Sequence, residues 1–222
     1  MRLTTLDDLV EELGEPSDAR RLAPDDELLR GRVPDALLSF WRRHGFGSYK
    51  NRYFVICDPR TLDPVVAVLF KDDPELHAAD LAAVGYTGDS NFLLLWHRDG
   101  RKIIVTMDQS LVTVSHPSAD IDKDTGQRWS EEELIGAYLY QFRMFDTELF
   151  DEACKRHGRP GEDELFGFVP AFQLGGSPVA ASMRRVKAAE HLMFLAQLGP
   201  LKLIEMEPFG ESRFIRFVGQ KG

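Results

Sequence analysis

Asp99-Gly100 lies between two short apolar runs, residues 92–96 and 102–106, and no other feature constrains the fold as strongly. An Asp-Gly pair suits the positive backbone angles of a tight turn, so the two runs are expected to fold back on each other as an antiparallel hairpin. Residues 53–57 and 111–114 carry similar strand signals, and residues 201–206 and 214–218 add two more near the C-terminus.

Helix signals surround these strands. Leu6, Leu9, Val10 and Leu13 fall on one face of an opening helix. Residues 20–32, polar and holding Pro24, read as a connector. Pro34 suits the first turn of a second helix and Gly45 its end, with Leu37, Leu38 and Trp41 on one face and Arg42 and Arg43 towards water. Ser130 and Glu133 form a capping box ahead of an apolar stripe, Leu134, Ile135, Tyr138, Leu139 and Phe142. A further helix is expected at 147–156, ended by Gly158. Residues 65–70 fit helix or strand, and 76–84 lean towards helix because of the alanines. Residues 165–176 read as a packed loop, and 182–198 as a helix with Val186, Leu192, Leu195 and Leu198 inward. The fold class is α+β, a mixed helix and antiparallel-sheet N-terminal region followed by a mainly helical C-terminal region.

The 222 residues suffice for one large domain or two small ones. The net charge of −9 argues against bare nucleic acid as a partner, since phosphate contacts need clustered cations, and favours a basic protein partner. Residues 58–99 hold eight acidic against three basic side chains, residues 130–164 ten against four, and residues 165–222 only four against seven. Cys57 and Cys154 lie in no metal-ligand spacing and read as small buried apolar residues in a reducing cytoplasm. No charged-then-apolar leader precedes residue 30, and the longest apolar runs are far short of a membrane span, so a soluble cytoplasmic protein is expected.

Candidate chemistry is sparse. Asp120, Asp122, Asp124 and Glu131 approach the oxygen spacing of a calcium loop, but Thr125 occupies the sharp-turn position and Gly126 comes one place late. A solvated acidic turn accounts for the segment, and no metal or other cofactor is expected. His44 and His157, each just before a glycine, suit helix C-terminal capping, and His191 a satisfied, partly buried position. Ser115-His116 lie next to each other on a strand and point to opposite faces. No catalytic residue emerges, and an enzyme is not expected. Arg213-Phe214-Ile215-Arg216-Phe217 interleaves cations with aromatics, a pattern that fits RNA contact or an edge strand with outward arginines.

Two stretches carry a family resemblance. Residues 34–49, with the Phe40-Trp41 pair running into Gly45-Phe46-Gly47, then 53–57 and Asp58-Pro59, resemble the GAD-like domain. Phe166-Gly167-Phe168-Val169-Pro170, Leu174-Gly175-Gly176, His191-Leu192 and Ala196-Gln197-Leu198 resemble the C-terminal domain of type VI secretion immunity proteins. Gln173 departs from the pattern, where a small apolar residue is expected.

This resemblance implies domains at 1–118 and 119–222, packed as two units or as one. It also implies a non-catalytic protein that binds and silences a cognate toxin, a basic DNase, in the cytoplasm. Asp72, Asp73, Glu75, Asp120, Asp122, Asp124, Glu131 and Glu132 are the candidate steering residues for that toxin. The alternative is a scaffold or accessory protein that meets RNA through the basic C-terminal region.

Overall fold

A computed structural model describes residues 5–115, 120–121, 125–206 and 212–220. Its centre is the expected hairpin. Strands β5 (Phe92–His97) and β6 (Lys102–Thr106) pair antiparallel with Leu94 opposite Ile104, and Gly100 turns the chain at φ 95°. On one side of it lie β1 (Ser17–Arg20), β2 (Phe46–Tyr49), β3 (Phe54–Ile56) and β4 (Leu81–Thr87). On the other lie β7 (Leu111–Ser115), β10 (Lys202–Met206) and β11 (Ser212–Phe217), which complete a nine-stranded sheet in the order β1-β2-β3-β4-β5-β6-β7-β10-β11. Every neighbouring pair is antiparallel except β7 with β10. A parallel pair needs a crossover. Here it consists of α4 (Glu131–Tyr140), α5 (Glu148–His157), the hairpin β8 (Glu164–Phe168) with β9 (Met183–Lys187), and α6 (Ala188–Leu195).

Both faces of the sheet are covered. Val65, Val66 and Leu69 of α3 (Asp63–Leu69) pack with Leu192 and Leu195 of α6 against Leu81, Ala83, Leu93 and Leu95. On the opposite face α1 (Leu6–Leu13), α2 (Asp35–Arg43) and α4 bury Leu9, Trp41 and Ile135 against Ala82, Val84, Leu94 and Trp96. Successive residues of a strand point to opposite faces, so a strand buried on both reads as an unbroken apolar run. That is why residues 81–84 look helical in sequence yet form the all-buried strand β4, preceded only by a single turn of 3-10 helix at Ala78–Asp80. The ambiguous stretch at 65–70 is helical, begun by Pro64 in its first turn.

Other expectations change near the C-terminus. The segment expected as a packed loop opens with β8, and only its second half is irregular, passing a cis Val169-Pro170 bond. The helix expected from 182 is β9 followed by a shorter α6, because Met183 to Lys187 completes a hairpin with β8. The region after 118 is therefore mixed, with three α-helices, three short 3-10 helices and four strands among the described residues. His44 meets Glu15 at 2.9 Å and His157 meets the Ala180 carbonyl at 3.0 Å; both contacts reach beyond their own helices.

Candidate functional site

The six candidate carboxylates among the described residues do not share one surface. Asp73 is buried, and its oxygens receive the Arg216 guanidinium at 2.6 and 2.9 Å. A bulge makes this possible: Leu203 pairs with Arg216 but Ile204 with Phe214, so Ile215 is extra and Arg216 turns under the sheet instead of outward. Burial works to raise the Asp73 pKa. Arg216 and the N–H groups of Gly219, Leu76 and Glu75 outweigh it and hold the carboxyl at about 2. Glu75 stands 3.4 Å from the same guanidinium, and Asp72 is exposed beside it.

The second group lies on the α4 side of the sheet. Asp120 is buried and ion-paired with Lys102, with Arg128 at 3.7 Å, so its carboxylate already has cations in place of calcium. Glu131 and Glu132 are exposed in the first turn of α4, where the capping box is formed and acids suit the helix dipole. Asp122 and Asp124 lie outside the described residues.

A larger concavity was not legible as a site. A cleft of about 670 Å³ opens where β1–β4 meet the loop before β8 and the start of α6. Its construction begins with an unusual turn: Lys50, Asn51 and Arg52 all have positive φ, 46°, 57° and 75°, a conformation non-glycine residues rarely adopt. The turn folds Arg52 inward until it is 4% exposed. There Nη1 reaches Asp18 at 2.7 Å, Nη2 donates to the Glu162 carbonyl, and Nε is left without an acceptor among the described residues. Arg52 thus joins β1 to the loop before β8. Val55 and Leu62 give the cleft an apolar wall, and the Tyr86 ring, 6% exposed, brings a hydroxyl that has no hydrogen-bond partner among the described residues. Burial pushes that phenol's pKa up, so it is a neutral donor and acceptor.

The cations of the cleft are spoken for: Arg20 by Asp58 at 3.3 Å, Arg52 by Asp18, and Lys187 by Asp163 at 2.5 Å. Glu162 and Glu190 also line it, both exposed, and neither has an ion pair among the described residues.

Two family models match the chain. Residues 4–109 match the GAD-like domain, and residues 140–199 match the family described as T6SS immunity protein Tdi1, C-terminal. Residues 4–109 thus form a GAD-like domain and residues 140–199 a Tdi1-type C-terminal domain. The chain's fold is similar to the crystal structure of Atu4351 from Agrobacterium tumefaciens, with a TM-score of 0.81, 22% identity, and coverage of 96% of this chain and 97% of that one. No curated protein sequence matches it. No described helix is long and apolar enough to cross a membrane.

The two family segments meet again at a buried polar junction. Asp89, Asn91 and Asp108 come from the GAD-like segment, Gln173 and His191 from the Tdi1-type segment. They surround a void of about 10 Å³, room for one water at most. Gln173, the departure from the family pattern, donates to the Met107 carbonyl and so ties its loop to the turn after β6. Asn91 Oδ1, Asp108 Oδ1, Gln173 Oε1 and His191 Nε2 are buried without partners among the described residues, so His191 is not satisfied as expected. Burial raises the pKa of Asp89 and Asp108, each Asp108 charge being further opposed by Asp89, and lowers that of His191. Perturbed groups of this kind often mark active sites. Here they line a space that admits no substrate.

Proposed function

We propose that this chain is an immunity protein that binds and neutralises a cognate type VI secretion toxin, a DNase, by non-catalytic protein–protein inhibition in the cytoplasm. The match of residues 140–199 to the Tdi1 immunity family carries the reading. The charge of −9 supports it, because an enzyme that grips DNA must present cations around its cleft. Exposed Asp72, Glu75, Glu131 and Glu132 are proposed to steer the approach, whereas Asp73 and Asp120 act inside ion pairs. The two family segments act as one unit, with the boundary near residue 118 crossed by the sheet itself.

Support for the RNA-associated alternative weakens. Of the C-terminal cations, Arg216 is buried on Asp73, Arg213 pairs with Glu205 at 2.8 Å, and Lys187 pairs with Asp163. The test is co-expression with a type VI secretion nuclease, sought first among the products of the neighbouring genes. Survival with this chain and death without it, together with a stable complex of the two proteins, is the expected result. Continued killing, with no complex, would overturn the reading.

A further inference from the structure

We infer that the cleft between the two family segments is the anchor point for the toxin and receives a cationic side chain from it; the inference rests on the immunity reading above. What is left over in the cleft decides the chemistry. Its own cations are already ion-paired, and the groups with no side-chain hydrogen bond or ion pair among the described residues are the carboxylates of Glu162 and Glu190 and the hydroxyl of Tyr86. Two carboxylates and a neutral phenol oxygen form an acceptor set. An arginine or lysine completes it, with the aliphatic stem along Val55 and Leu62 and the charged head among the oxygens.

Geometry supports an anchor in addition to general attraction. Interface energy concentrates in side chains that fill preformed, desolvated pockets. This cleft is held open by the Arg52 contacts to Asp18 and the Glu162 backbone, so its walls do not have to be ordered when the partner arrives. It also draws on both family segments, which gives the GAD-like segment a direct part in recognition.

The experiment measures binding of the nuclease that this chain neutralises in the co-expression test to wild-type protein and to the triple variant Glu162→Gln, Glu190→Gln, Tyr86→Phe, over a series of salt concentrations. The expected result is an affinity about tenfold to a hundredfold weaker and a shallower salt dependence, with an unchanged melting temperature. The double variant Glu162→Gln, Glu190→Gln, with both changes at exposed positions, gives the same readout if the triple variant is unstable. Equal affinity of these variants and the wild type would overturn the cleft assignment and leave the immunity reading standing. Failure of the wild-type protein to bind the nuclease would remove both.

Discussion

Arg216 and Asp73 lie 143 residues apart in sequence, yet the guanidinium of one closes on the carboxylate of the other in a fully buried, two-pronged ion pair. Removing one partner strands a buried charge, at a cost of about 3–5 kcal/mol. Arg216→Leu is therefore expected to destabilise strongly, and the double variant Arg216→Leu, Asp73→Leu to recover much of the loss, measured by denaturant unfolding. Asp73 has a pKa of about 2 in the fold against 3.8 ordinarily, so its contribution is present above pH 4 and is lost as pH falls towards 2. Asp73→Asn should be less stable than wild type above pH 4, with the difference shrinking as pH falls towards 2, so that its acid limb is shallower.

Asp89 and Asp108 produce the opposite slope. Their folded pKa values are raised, so what they contribute is fully present below the unfolded pKa and is lost as pH rises through the folded one. Asp108→Asn cannot ionise, and its amide supplies a donor near acceptors that have none. The variant should gain about 1 kcal/mol at pH 7 and show a flatter decline above pH 4. A decline as steep as that of wild type would show that Asp108 does not ionise within the range.

The residues that were legible in sequence are those whose neighbours in the chain decide their fate. Asp99-Gly100 specifies its hairpin, Ser130 and Glu133 their capping box, and Pro34 to Trp41 an amphipathic helix, all through local geometry. Residues 81–84 were not legible, because burial on both faces erases the alternation that marks a strand. Met183 to Lys187 needed knowledge of its partner β8. The cleft was hidden for the same reason: Glu162, Glu190 and Tyr86 are far apart in the chain, and each alone reads as an ordinary surface or core residue.

Gly167 has a definite steric duty. A Cβ at this position would lie 2.4 Å from His191 Nε2, well inside contact distance. The Phe166-Gly167-Phe168 spacing thus lets α6 lie against β8 through the imidazole. Gly167→Ala should destabilise by about 1–3 kcal/mol from overpacking. Adding His191→Ala should return part of that loss, a coupling that a double-mutant cycle measures directly. Additive effects would mean the ring moves aside at no cost.

Cutting the chain at residue 118 should not yield two folded domains. Strand β10 fills the position between β7 and β11, so a fragment of residues 1–118 ends its sheet at β7 with an uncovered edge. It also loses the α4 stripe of Leu134, Ile135, Tyr138 and Leu139 that covers Leu94 and Trp96, and the hydroxyl of Tyr138 that donates to the Ile103 carbonyl at 2.5 Å. Each of those large side chains is worth about 1.5–3 kcal/mol of burial. Their sum is on the order of a whole domain's stability. The intact chain should unfold in a single cooperative transition, and fragment 1–118 should bind hydrophobic dyes and melt without cooperativity. A sharp, reversible melt of that fragment would instead establish two independent domains.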